Sequence, residues 1–114
     1  MSTSYNIAIH ELYCYLPDES SDEVYLMCKG KKVWPKNEKF ASLAEGDSTP
    51  IKLETSVIKG ATVSVELWEY DVLSNDDKLG TFLLEADKLG GPYTSDMIKF
   101  DSGKSKYGLN WEVR

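Results

Sequence analysis

The sequence predicts an all-β protein, an eight-stranded antiparallel β-sandwich, and three observations carry that expectation. Short apolar runs alternate with polar residues at period two, as in Val63-Ser64-Val65-Glu66-Leu67. Turn signals built from Gly, Pro, Asn and Asp recur roughly every ten residues. No stretch shows the spacing of a long amphipathic helix, and there is no internal repeat or low-complexity tract. About eight short strands punctuated in this way read as a sandwich or a barrel.

Taken in order, the first strand spans about Tyr5 to Leu16, rich in aromatic and branched side chains. Its inward set changes parity, from Tyr5, Ile7 and Ile9 to Leu12, Cys14 and Leu16. A bulge near His10 reconciles the two sets, as does burial on both faces. Pro17-Asp18-Glu19-Ser20-Ser21-Asp22 is a polar turn. The second strand, Glu23 to Lys29, sets Val24, Leu26 and Cys28 on one side and Tyr25 and Met27 on the other. Lys29-Gly30-Lys31 is a short hairpin into Lys32-Val33-Trp34, which Pro35 ends because it cannot donate to a ladder. Lys36 to Pro50 is polar, with Phe40, Leu43 and Ala44 as anchors. It reads as a long excursion between two sheets, with a single helical turn at Ala41–Ala44 as the alternative. Ile51 to Glu54 alternates like a strand, and Lys59-Gly60 turns the chain into Val63–Leu67. A strand over Thr81–Glu85 follows the acidic loop, and Leu89-Gly90-Gly91-Pro92 interrupts the chain. Met97–Phe100 is a short strand. Tyr107, Leu109, Trp111 and Val113 alternate in the last one.

The 114 residues read as one domain, residues 1–114, long enough for an ordinary core. Apolar content of 41% and charged content of 28% are usual for a globular chain. A net charge of −6 speaks against nucleic acid as a partner, because phosphate binding requires a basic surface. No apolar run is long enough to span a bilayer. Met1 to Asn6 lacks the basic-then-apolar pattern of a signal peptide, so a cytoplasmic location is expected. Cys14 and Cys28 would face each other if the first two strands formed a hairpin around Pro17–Asp22. A disulfide between them is then geometrically conceivable, but in a reducing compartment both are expected as free thiols behaving as small apolar residues. Catalysis finds little support. His10 sits inside a strand pattern, and no nucleophile elbow, phosphate loop or dinucleotide fingerprint occurs. The chain is expected not to be an enzyme.

The stretch Leu67-Trp68-Glu69-Tyr70-Asp71-Val72-Leu73-Ser74-Asn75-Asp76-Asp77-Lys78-Leu79-Gly80 organises the rest. It places four carboxylates, Glu69, Asp71, Asp76 and Asp77, around two apolar residues, Val72 and Leu73. Negative charge gathered on one loop is repulsive unless a cation offsets it. The oxygen-only donor set suits calcium, which takes six to eight oxygen ligands. Without a paired His or thiolate set, zinc is not indicated. The competing reading is that these acids solvate and cap turns.

Trp68-Glu69-Tyr70-Asp71 followed by Asp77-Lys78-Leu79-Gly80 resembles the third acidic loop of a C2 domain. Glu69, Asp71 and Asp77 fall on the three acidic positions of that family, and Gly80 falls on its glycine. Ser21-Asp22-Glu23-Val24-Tyr25-Leu26 resembles the family's other acidic loop, and Tyr107–Val113 its closing strand. Two departures stand out: Glu69 replaces the usual Asp, and Asp22 is followed by Glu23-Val24 rather than Pro-Tyr. The resemblance implies a C2-like sandwich with Asp18, Asp22, Glu69, Asp71 and Asp77 as a calcium ligand set at one end, Glu19 being the alternative to Asp18 for the first loop. It also implies a role for Val72 and Leu73 at the loop tip in touching an anionic membrane lipid or a protein partner. The alternative function is a calcium-independent structural or adaptor subunit of a larger assembly. Lys29, Lys31 and Lys32 form a basic hairpin, which reads as protection of a sheet edge from strand-to-strand pairing.

Overall fold

In a computed structural model, residues 3–114 are described, and they contain strands and turns but no helix. Ten strands occur in chain order: β1 (Ser4–Leu16), β2 (Ser21–Cys28), β3 (Lys31–Trp34), β4 (Ala41–Ala44) and β5 (Ser48–Ile58), followed by β6 (Thr62–Glu69), β7 (Asp77–Glu85), β8 (Gly90–Asp96), β9 (Ile98–Lys99) and β10 (Lys106–Val113). They form two antiparallel sheets. One has four strands in the order β5-β1-β10-β8. The other has six, in the order β3-β2-β6-β7-β9, with β4 also pairing β2. The body is elongated, 48 × 27 × 24 Å.

Period-two patterning fills the space between the sheets. Ile7, Ile9, Leu12 and Cys14 of β1 meet Val24, Leu26, Val65, Leu67, Phe82 and Leu84 of the other sheet in one core. Phe82, Leu26, Leu67 and Leu109 are wholly buried. Each such side chain stabilises the fold by roughly 1.5–3 kcal/mol. The parity change in β1 is a bulge. Ile9 faces Trp111 and Glu11 faces Asn110 on β10, so His10 is the extra residue. On the other flank, β5 carries an extra residue where Lys52 adopts φ of 57°. The two bulges sit at one level of the four-stranded sheet, where the extra residues locally increase strand twist.

Three local expectations hold for clear reasons. Lys29 and Gly30 both have positive φ, 54° and 77°, the two-residue hairpin turn whose twist suits flanking strands. Lys59-Gly60 turns β5 into β6, with Gly60 at φ 89°. Pro35 follows the last residue of β3.

Other expectations are corrected. The strand count is ten rather than eight because β4 and β8 join the sheets. Ala41–Ala44 is a strand, not a helical turn, because its backbone pairs with Ser21–Val24 along the edge of β2. Gly90–Asp96 runs along β10 as an exposed edge strand, so no alternation marks it, and Pro92 is tolerated there. Gly91 permits this approach, since a Cβ would lie 2.8 Å from that of Glu112. The excursion after Pro35 is shorter than expected, since β5 begins at Ser48. β7 begins at Asp77, so the acidic loop is shorter as well. β1 and β2 do not form a hairpin. Each lies in a different sheet, and Cys14 is paired with Tyr107 whereas Cys28 is paired with Lys31 and Val65. Both cysteines are free thiols, Cys14 buried and Cys28 half-buried.

Candidate functional site

Strand register brings the acidic segments to one pole. The end of β6 and the start of β7 pair through Glu69 and Asp77, and Val24 of β2 pairs with Glu69. Beyond the ladder, the Tyr70 amide donates to the Glu23 carbonyl at 2.8 Å. The turn after β1, the start of β2 and the β6–β7 loop therefore share one end of the sandwich. Asp22 and Asp71 belong to the same pole.

Asp22 is completely buried. Its carboxylate accepts the Asp18 amide at 3.1 and 3.2 Å, the Glu19 amide at 3.4 Å and the Tyr107 hydroxyl at 2.7 Å. Burial, followed by the hydrogen bond to Asp22, keeps the Tyr107 phenol protonated well above its usual range. Asp18 ties in a further loop, accepting the Lys104 and Ser105 amides, each at 3.0 Å. These two acids tie the turn after β1 to the loop before β10 by accepting backbone donors from both.

The β6–β7 loop has its own internal scaffold. One Asp71 oxygen accepts the Leu73 amide at 2.8 Å and the other accepts the Ser74 hydroxyl at 2.9 Å. The Leu73 amide, followed by the Ser74 hydroxyl, lowers the Asp71 pKa. Asp76 accepts the Asp71 amide at 2.9 Å and the Tyr25 hydroxyl at 2.5 Å. Burial, with the Asp76 contact second, raises the Tyr25 pKa, so its hydroxyl stays a donor. Phe40 stacks on Tyr70 at 5.3 Å, bracing the loop from the side. With its base fixed, the loop projects Val72 and Leu73, which are 77% and 93% exposed.

Between the loops lies a cavity of about 250 Å³ lined by Glu19, Glu23, Glu69, Tyr70, Asp71, Val72 and Asp77. Three of the five expected ligand residues, Glu69, Asp71 and Asp77, line it. Asp18 and Asp22 do not. Glu69 is the perturbed group: burial, then the nearby Asp22, Glu19 and Asp18 carboxylates, push its pKa up to about 8. Such mutual repulsion among oxygen donors is the chemistry that a hard cation relieves. Among the described residues, however, no three acid, His or Cys side chains are gathered tightly enough to hold a metal as they stand. The donor types suit calcium, and the side chains would have to converge to bind it.

Sequence reasoning missed Glu23 and the bracing role of Tyr25 and of Asp76, which it counted only among the loop carboxylates. Glu23 enters the cavity because β2 runs beside the continuation of β6, a non-local pairing with no local signal. Tyr25 had one visible cue, an aromatic at outward parity in a strand otherwise patterned for burial.

No protein-family model matches the sequence, and no curated protein matches it. Solved structures do match. The C2 domain labelled A of plant extended synaptotagmin 1 superposes with a TM-score of 0.56 at 10% identity, over 96% of this chain and 91% of that one. A structure of the paired A and B C2 domains of extended synaptotagmin 2 gives a TM-score of 0.60 at 14% identity, over the whole of this chain and 42% of that two-domain chain. A further C2 domain gives 0.53 at 15% identity, with 96% of each chain covered. At such identities the likeness is one of architecture, and the chain has the fold of a C2 domain along essentially its entire length.

Proposed function

We propose that this protein is a non-catalytic binding module that attaches, through its acidic loop end, to an anionic membrane surface or a protein partner, with calcium as the bridging ion. The observation that carries the reading is the loop tip. Val72 and Leu73 project at 77% and 93% exposure from a loop whose base is fixed by Asp71, Asp76 and Tyr25. Two apolar side chains held outward on a rigid base are suited to enter a bilayer interface or a partner's pocket. The acids around them would repel an anionic surface, so a cation is required in between. Glu69, Asp71 and Asp77, with Asp18 and Asp22 behind them, form the proposed ligand set, and Glu19 and Glu23 add oxygens to the same cavity. Calcium held there would neutralise the loop end. The chain's own residues position the tip.

Co-sedimentation with phosphatidylserine vesicles tests this reading. Binding is expected in calcium and not in chelator. Replacing Val72 and Leu73 together with Ala is expected to weaken it at least ~10-fold, since each buried apolar side chain contributes about 1.5–3 kcal/mol. Calcium at about a hundred times its dissociation constant is expected to stabilise the fold by ~2.7 kcal/mol. Absence of both the pelleting with vesicles and the thermal shift would overturn the calcium reading. The second reading, a calcium-independent structural or adaptor subunit, is favoured by the Asp22 and Asp71 oxygens, which already accept protein donors. Partner capture that persists in chelator would support it.

A further inference from the structure

A second cavity lies at the pole opposite the acidic loops. It measures about 620 Å³, and its wall combines apolar Cys28, Val57, Ile58, Ala61 and Val63 with Lys29 and the hydroxyl residues Ser4, Ser56, Thr62 and Ser64. Register places these residues together. Cys28 pairs with Lys31 and Val65, Ser4 pairs with Ile58, and the Gly60 amide donates to the Ala86 carbonyl at 2.8 Å. Lys29 lines this hollow, and Lys31, paired with Cys28, and Lys59, next to Ile58, adjoin its lining residues. All three are exposed and none is in an ion pair among the described residues. Glu85, paired with the lining residue Thr62, and Asp87 also lie towards this pole and line a neighbouring hollow with Lys88, Tyr93 and Trp111. The lysines therefore outnumber the acids here rather than stand alone.

The two ends of the 48 Å body are thus complementary. One presents an apolar tip, Val72-Leu73, collared by Asp71, Asp76 and Asp77. The other presents a hollow with an apolar floor and hydroxyl-bearing walls, edged by Lys29 with Lys31 and Lys59 beside it. We propose that a second copy of this chain is the occupant of the hollow: the acidic tip of one molecule seats in the basic pole of the next, head to tail. Opposite collars steer the approach and set its direction, since tip against tip or hollow against hollow would bring like charges together. An interface of this kind joins two different patches, so each molecule keeps one free tip and one free hollow, and the contact propagates as an open chain. This inference goes beyond the attachment reading and does not require calcium. The tip cannot enter a membrane and a neighbour at once, so a cation neutralising the acidic end weakens the chain.

Sedimentation velocity of the whole protein in chelator tests the proposal. At about 0.1–1 mM protein and about 20 mM salt, species larger than the monomer are expected, growing with concentration and dissolving in about 0.5 M salt. Leu73→Asp blocks the tip and leaves the hollow intact. Lys29→Glu with Lys59→Glu blocks the hollow and leaves the tip intact. Each variant alone is expected to associate at least ~10-fold more weakly than the parent. An equimolar mixture is expected to form a one-to-one dimer that grows no further, because only one competent junction remains. If either charge-changed variant melts below the parent, Leu73→Ser and Lys29→Ala with Lys59→Ala serve in its place. A parent that stays monomeric throughout, a variant that associates unaided, or a mixture that stays monomeric overturns the head-to-tail arrangement.

Discussion

Asp22 is the residue whose role depends most on its surroundings. A carboxylate with no exposure persists only when donors satisfy it, and the Asp18 amide, the Glu19 amide and the Tyr107 hydroxyl do so. Asp22→Ala removes the acceptor and strands those donors. Urea denaturation is expected to show a loss of about 2–4 kcal/mol. Glu69 has the opposite problem, a carboxyl whose charge is unwelcome. Its pKa rises from 4.5 unfolded to about 8 folded, through burial and then the Asp22, Glu19 and Asp18 carboxylates. The folded state therefore binds the extra proton, and its contribution to stability is fully present below about pH 4.5. It is lost progressively as pH rises towards 8. With calcium absent, Glu69→Gln is expected to flatten that slope and to stabilise the protein by about 1–2 kcal/mol near pH 8, after allowance for solvent screening. Melting curves across this range, parent against variant, provide the check.

At the scale of elements, the acidic loop is held by what flanks it. Gly80, in β7 just beyond the loop, faces Lys99 of the two-residue strand β9. A Cβ at Gly80 would lie 2.6 Å from Met97 Cγ and would also strike the Ile98 carbonyl. The glycine that the sequence placed at a family position is required here for strand-to-strand approach. Gly80→Ala is expected to cost about 1–3 kcal/mol. The loss should be accompanied by faster amide exchange in β9 than in β1. Tyr25 braces the loop from β2, through its hydroxyl to Asp76. Tyr25→Phe is expected to leave global stability within about 1 kcal/mol of the parent while the 70–76 amides exchange faster.

At the scale of the whole molecule, sequence-distant pairings dominate. β1 lies between β5 and β10, and the chain closes with its last strand against its first. Stopped-flow refolding is therefore expected in the millisecond-to-second range typical of sandwiches, slower than helical proteins of this length. The same non-local closure assembles the acidic pole from the turn after β1, the start of β2 and the β6–β7 loop, with Asp18 tying in the loop before β10. No single segment contains that site.

What was legible in the sequence is what local physics writes there. Alternation marked β1, β2, β6 and β10 and the residues they bury. The parity change in β1 left a bulge near His10 or burial on both faces, between which strand register decides for the bulge. Gly and Pro marked the turns at Lys29-Gly30, Pro35 and Lys59-Gly60. Clustered carboxylates marked the loop with Val72 and Leu73 at its tip. Edge strands β4 and β8 escaped because exposed backbone pairing leaves no apolar rhythm. The partners of each strand escaped as well: a β1–β2 hairpin was one conceivable pairing, and the two strands lie in opposite sheets. Tertiary structure alone decided that Asp22 is buried beneath Tyr107 while Glu69, Asp71 and Asp77 line a cavity with Glu19 and Glu23. Side-chain period is a property of one strand, but burial and charge crowding are properties of the segments that pairing brings together.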